Sequence, residues 1–163
     1  MNAQGIDREF VDLINQNRGI IHKICRIYSS GSDEREDLFQ EIVLQIWKSF
    51  PKFRGESKFS TWIYRIALNT AISLKKSPRI EVTVPDLPDI PYHEEKHVGD
   101  DPVTVLYHAI GQLLKVERAL IFLWLEEKSY EEIGKTIGLT AKNVSVKLVR
   151  IKAKLSKIIG QTP

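Results

Sequence analysis

Cysteine is almost missing from this sequence: Cys25 stands alone among 163 residues. A single thiol excludes a disulfide framework and a thiolate zinc site, and it suits a reducing compartment. Long apolar runs are missing as well. No segment reaches the roughly 18 apolar residues of a membrane-spanning helix, and the first residues lack the order of a secretory signal. The expectation is a cytoplasmic protein. Strong net charge is a third absence. The balance is +3, too small to select a partner class by itself, while 42% hydrophobic and 28% charged residues suit a globular core and not a disordered chain.

The distribution of charge carries more than its total. Residues 1–75 are nearly balanced. Residues 76–103 are acidic, with Glu81, Asp86, Asp89, Glu94, Glu95, Asp100 and Asp101 against Lys76, Arg79 and Lys96. From Ala141 to Lys157 there are six cations, Lys142, Lys147, Arg150, Lys152, Lys154 and Lys157, and no acid. A basic end beyond an acidic connector points to a polyanionic partner for that end.

Apolar residues recur at helical spacing from Asp7 to Tyr28, with Gly19 as the expected point of kink or interruption. After the turn at Ser29–Ser32, Ser32 or Asp33 is placed to cap a second helix, whose inner face is Leu38, Ile42 and Ile46 and which stops before Pro51. A third helix is expected from about Ser60 to Lys75. Pro78, Pro85, Pro88, Pro91 and Pro102 then break all helical period, which predicts an extended, flexible linker over 77–103 between domains 1–76 and 104–163. Helical spacing resumes at Val105, Leu106 and Ile110, and Ala119–Leu125 reads as a buried helix. The predicted fold is all-α: two small helical bundles joined by the linker.

Ser129-Tyr-Glu-Glu132 has the form of a capping box, Gly138 is suited to a positive φ, and Thr140 can cap a final basic helix. A short helix, a tight turn and a longer basic helix make a helix-turn-helix, with Gly134 allowing close approach and Ile133, Ile137, Leu139, Val144 and Leu148 filling the wedge. The outer face is then free to enter a major groove. Asn143, Ser145, Val146, Val149 and Arg150 are candidates for base edges, Arg150 by a bidentate contact to guanine. Lys142, Lys147, Lys152 and Lys154 are candidates for phosphates, which position without specifying. The plain alternative is a solvated lysine-rich helix.

In the N-terminal half, Asp37, Gln40, Glu41 and Gln45 share a polar helix face by the three-and-four rule. A partner helix, bulk water or a metal are the readings of such a face, and the absence of a nearby His weighs against the metal. The stretch FRGESKFSTWIYRIALN, Phe53 to Asn69, sets rings beside cations at a helix entrance. Arg65 and Asn69 lie four apart on one side of that helix, with Ile63, Ile66, Ala67, Thr70 and Leu74 expected to be buried opposite. Such a cluster is either ordinary core or an apolar slot for an unpaired base, where stacking contributes ~1–3 kcal/mol, comparable to the few kcal/mol that unstacking costs.

Taken together, DLFQEIVLQIW, FRGESKFSTWIYRIALN and SYEEIGKTIGLTAKNVSVKLVRIKAKL resemble the extracytoplasmic-function group of bacterial sigma factors, in the family's order and from about Phe10 to Ile159. The resemblance implies a sigma region 2-like bundle at 1–76, a region 4-like helix-turn-helix at 104–163, and a dissociable promoter-specificity subunit of bacterial RNA polymerase. It implies that Asp37, Gln40, Glu41 and Trp47 dock on the clamp helices of the largest polymerase subunit, with the flap as a further contact. It implies that Phe53, Arg54, Lys58, Phe59, Ser60 and Trp62 capture a flipped base of the minus-ten element, while Arg65 and Asn69 meet its duplex edge. Lys142, Asn143, Ser145, Val146, Lys147, Val149, Arg150 and Lys154 would then serve the minus-thirty-five element, and the acidic linker would run toward the RNA exit path. One departure is that members often carry Arg where Ser145 and Lys147 stand, and Ser145 cannot fork onto guanine. Further implications are an anti-sigma partner, promoter DNA as the nucleic acid, no cofactor, no metal, no small-molecule substrate and no catalysis by this chain. Two other readings stand beside it: a helix-turn-helix regulator that binds its operator without polymerase, and a metal-dependent nuclease using Asp37 and Glu41, or His93 and His97.

Overall fold

A computed structural model describes residues 3–74, 87–92 and 102–161. Among them all regular structure is helical, as the sequence predicts. The chain divides into two compact units, Met1–Cys25 with Ser30–Glu94, and Arg26–Ser29 with Glu95–Pro163. Most of the proline-rich connector, including His93 and His97, lies outside the described residues.

In the first unit the apolar rhythm of the opening segment forms two helices, α1 (Ala3–Gln16) and α2 (Arg18–Tyr28). The interruption falls at Asn17 and not at Gly19. The Asn17 side-chain amide donates to the Leu13 carbonyl at 2.8 Å and shares it with the Asn17 backbone amide at 3.2 Å. Helix α3 (Ser32–Ser49) starts after Gly31, which has extended backbone and no side-chain cap. The expected cap by Ser32 or Asp33 is not made; Glu34 instead ties down the turn before the helix. Its carboxylate reaches back to accept from the Ser30 amide at 3.0 Å and the Ser30 hydroxyl at 2.9 Å. A 3₁₀ turn, Phe50–Lys52, places Pro51 where its missing N–H costs nothing, and α4 (Phe59–Ser73) follows the loop.

Helices α3 and α4 are the main packed pair of this unit. Leu38, Phe39, Ile42, Val43 and Ile46 meet a buried stripe of Phe59, Ile63, Tyr64, Ala67, Leu68 and Ala71. This stripe is rotated from the expected one: Leu74 is exposed, and Ile66 and Thr70 sit at the margin. The aromatic and aliphatic volume of Phe59, Tyr64 and Leu68 sets the inward direction, and the polar pair Arg65 and Asn69 fixes the outward one.

Residues 87–92 belong to the first unit. Ile90 is buried, and the Tyr92 ring lies 5.5 Å from His22 and 5.4 Å from Phe39. This part of the predicted flexible linker is therefore a packed strap. Burial of one isoleucine contributes about 1.5–3 kcal/mol, enough to hold a short segment whose Pro88 and Pro91 have already lost φ freedom.

The second unit contains α5 (Pro102–Ile110), α6 (Lys115–Leu125), α7 (Tyr130–Ile137) and α8 (Ala141–Gly160). Helix α5 begins inside the span assigned to the linker, because proline is favoured in a first helical turn. The core is Ala109, Ile110, Leu113, Ala119–Leu123, Ile133, Val144, Leu148, Ile151 and Leu155. Ser129 Oγ accepts from the Glu132 amide at 3.1 Å, while the Glu132 carboxylate takes the Ser129 hydroxyl and not the backbone amide expected of a full capping box. Thr140 Oγ1 accepts from the Asn143 amide at 3.1 Å. Gly138 closes α7 at φ +89°, and the Gly138 and Leu139 amides both bond the Gly134 carbonyl at 2.7 and 2.9 Å.

A Cβ on Gly134 would collide with the Leu139 backbone carbonyl, so this glycine accommodates the turn itself. Gly134→Ala is expected to destabilise the second unit by about 1–3 kcal/mol, as overpacking does. Gly138→Ala, where space is open but φ is positive, should cost about 1–2 kcal/mol. Calorimetry of the full chain checks both, and equal stability of either variant with the parent would contradict the turn geometry.

Candidate nucleic-acid interface

The rings of the first unit form a continuous seam. Phe10 packs edge-on to Trp47 at 4.8 Å and to Phe50 at 5.4 Å. Phe50 meets Phe59 at 6.2 Å, Phe53 meets Phe59 at 5.4 Å, and Trp62 lies 5.1 Å from Phe53 and 5.5 Å from Phe59. Phe59 is buried, whereas Phe53 and Trp62 keep partly exposed faces. Within the seam Phe59 is core, and its two neighbours are core on one side only. Above them runs an exposed loop carrying Arg54 and Lys58, with Gly55 at φ +73° to reverse the chain, and Ser60 sits half-buried at the start of α4. The result is an apolar platform with a cationic rim.

Sequence spacing separates the α3 polar face from Arg65 and Asn69, but folding joins them. Glu41, Gln45 and Ser49 from α3, with Arg65, Asn69, Thr70 and Ser73 from α4, line an open groove of about 450 Å³. Gln45 donates to Glu41 at 3.0 Å. Ser49 and Ser73 were not anticipated as part of any site, although polar residues four apart (41, 45, 49 and 65, 69, 73) carry the signal. Asp37 is exposed and Gln40 half-buried on the outer side of α3. Trp47 does not share the groove, since its ring is engaged by Phe10. Among the described residues no three His, Cys, Asp or Glu side chains come together as a metal-holding group.

In the second unit α8 has two faces. Val144, Leu148, Ile151 and Leu155 are buried, while Lys142, Asn143, Val146, Lys147, Val149 and Arg150 are exposed and Ser145 is half-buried. Val149, 66% exposed, and Val146, 46% exposed, have no packing role that would explain apolar side chains there. Two of the lysines expected at phosphates have partners on α6 while keeping solvent exposure. Lys154 Nζ pairs with Glu117 at 3.0 Å, and Lys152 Nζ stands 4.4 Å over the Trp124 ring.

Glu117 also accepts from the Leu114 amide at 2.9 Å, which caps α6. Partial burial alone would raise its carboxyl, but the Leu114 amide and the Lys154 ammonium together hold it below the usual carboxylate range. Burial pushes the Cys25 thiol up to about 12, with Arg35 opposing, so it stays protonated and unreactive.

Two family models match the chain: Sigma-70 region 2 over residues 13–79, and Sigma-70 region 4 over residues 104–155. Among curated relatives, the RNA polymerase sigma-H factor of Pseudomonas aeruginosa is 28% identical, covering 85% of this chain and 81% of its own length. The ECF RNA polymerase sigma-E factor of Haemophilus influenzae is 26% identical, covering 91% and 86%. Two solved structures share the fold. One is the sigma factor RpoE in complex with the anti-sigma factor NepR from Bartonella quintana, with TM-score 0.67, 17% identity, and coverage of 96% of this chain and 99% of that one. The other is CnrH in complex with the cytosolic domain of CnrY, with TM-score 0.68, 20% identity, and coverage of 99% and 94%.

The depressed Glu117 carboxyl gives a pH signature. Its contribution is fully present above the unfolded value near 4.3 and is lost as pH falls through the lower folded value. Glu117→Gln is therefore expected to lose about 1 kcal/mol at pH 7, the size of a helix-cap contact. The gap between the variant and the parent should narrow in melts run below pH 4, and a constant gap would remove the carboxylate from the explanation.

Proposed function

The chain belongs to the extracytoplasmic-function group of the bacterial sigma-70 family, and from that membership we propose how its residues divide the work of promoter recognition. The protein binds core RNA polymerase and directs promoter-specific initiation. The polymerase supplies the phosphoryl chemistry; this chain supplies recognition and strand capture, in the cytoplasm. The outer face of α3, with Asp37, Gln40 and Glu41, docks on the clamp helices of the largest polymerase subunit, and Trp47 supports that face through Phe10. The second unit has the flap as its polymerase contact. An anti-sigma protein is the expected regulator, by analogy with the complexes formed by the two structural relatives.

The observation that carries the reading is the platform of Phe53, Phe59 and Trp62 under a cationic rim. A base extruded from the minus-ten element stacks on the open faces of Phe53 and Trp62, which contributes ~1–3 kcal/mol and offsets much of the unpairing cost. Arg54, Lys58 and Ser60 hold the displaced strand. Arg65 and Asn69, on the groove between α3 and α4, meet the adjoining duplex. Helix α8 enters the major groove at the minus-thirty-five element, with Arg150 forking onto guanine and Val146 and Val149 against thymine methyls. Asn143 and Ser145 reach neighbouring polar edges, and Lys142 and Lys147 meet phosphates. Lys154 keeps its pairing with Glu117 and steadies α8.

Run-off transcription with core polymerase and a cognate promoter tests this division. Arg150→Ala should lose about 1–3 kcal/mol of promoter discrimination, roughly ten- to hundredfold, with core binding unchanged. Trp62→Ala should leave closed-complex binding intact and impair opening, and a template already melted at the minus-ten element should rescue it. Asp37→Ala with Glu41→Ala should weaken core binding. Promoter binding by the isolated chain as tight as by its complex with polymerase would favour the operator-binding alternative and overturn the assignment.

A further inference from the structure

One cation on the base-reading side of α8 is already engaged. Lys147, Arg150 and Lys154 share an edge of the helix by the three-and-four rule, with Lys154 one turn beyond Arg150. A cation at that place suits a backbone phosphate beside the base pair that Arg150 reads. Lys154 Nζ instead stands 3.0 Å from Glu117 Oε1, in the first turn of α6.

The carboxylate is not free to follow the lysine outward. The same Glu117 oxygen accepts from the Leu114 amide at 2.9 Å, which fixes it to the α6 cap. The Glu117 side chain is 23% exposed against 45% for Lys154, so a lysine reaching for a phosphate leaves its partner behind. A pair this open contributes little to stability. Capping α6 needs only an acceptor oxygen, which a neutral side chain also supplies. The charge goes further than the cap: it acts on Lys147 as well as on Lys154. DNA affinity is built from phosphates neutralised by cations, and each adds about 0.9 to the slope of log affinity against log salt. A carboxylate fixed beside two of those cations subtracts from that sum and leaves Val146, Val149 and Arg150 untouched.

We infer that Glu117 is a positioning residue for DNA binding: by holding Lys154 it keeps one cation off the DNA backbone and lowers the sequence-independent affinity of α8. This rests on the major-groove reading of α8 proposed above. The consequence is an interface with a weak hold on arbitrary duplex, so that occupancy depends on base contacts and on polymerase.

The test is a salt series. The full chain in complex with core polymerase is titrated with a promoter duplex, and with the same duplex carrying a scrambled minus-thirty-five element. Glu117→Gln keeps an oxygen for the Leu114 amide and removes the charge. It should bind both duplexes more tightly than the parent, with a slope steeper by about 0.9, so that its advantage grows about threefold between roughly 200 and 50 mM salt. A purely structural role predicts the opposite sign, since a loosened α8 binds less. Lys154→Ala should leave the parent's slope unchanged, and added to Glu117→Gln it should return the slope to the parent value. A Glu117→Gln slope no steeper than the parent's, a shallower slope for Lys154→Ala alone, or no reversal in the double variant overturns this inference and leaves the promoter reading in place. Should Glu117→Gln fail to fold, the Lys154→Ala slope decides by itself. Equal affinity of the parent complex for the two duplexes overturns the major-groove reading and this inference with it.

Discussion

The first unit depends on one constraint: six aromatic side chains, Phe10, Trp47, Phe50, Phe53, Phe59 and Trp62, must pack in edge-on and, at Trp62, tilted pairs across α1, α3, the 3₁₀ turn, the following loop and α4. Edge-on ring pairs are directional, so the seam fixes the entry of α4 against the end of α3 more tightly than aliphatic packing would. The loop between them has no secondary structure and needs none, because Phe53 and Phe59 pin both its ends. The partial exposure of Phe53 and Trp62 follows from the same constraint. A seam that ends at the surface leaves its last rings half-covered.

The second unit solves a different problem with smaller means. A short helix must turn sharply into a long one and still present an exposed face. Gly134 admits the turn carbonyl, Gly138 takes the left-handed backbone, and Ser129 and Thr140 cap the two starts. Between α6 and α7 the chain uses Glu127 at φ +63°, a conformation that glycine would adopt at lower cost. Glu117 ties α8 to α6 through Lys154 while capping α6 through the Leu114 amide. With one side of α8 so fixed, its remaining face is held in place by the packing beneath it.

Much of this was legible in order along the chain. Prolines, glycines and caps are local signals, so the all-α class, the helix-turn-helix with its Gly138 turn, and the composition of the aromatic stretch follow from residue types and spacing. Where the reading missed, the cause was competition between equivalent local options. Asn17 and not Gly19 breaks the first segment, where a side-chain amide shares a backbone carbonyl. Neither Ser32 nor Asp33 caps α3, and Glu34 holds the preceding turn because its reach matches the Ser30 donors. Lys152 and Lys154 find partners in Trp124 and Glu117, which spacing within α8 does not reveal.

By itself, then, the sequence determined the kinds of element, their order, and which residues carry rings, cations and apolar stripes, since those properties depend on neighbours within four positions. Only the tertiary structure decided that Glu41 and Gln45 share a groove with Arg65 and Asn69, that Phe59 is core while Phe53 and Trp62 keep a free face, and that Ile90 and Tyr92 belong to the first unit. The physical reason is the same in each case. Which side of a helix is covered, and by what, depends on packing between residues distant along the chain, and periodicity within one segment contains no record of its partner.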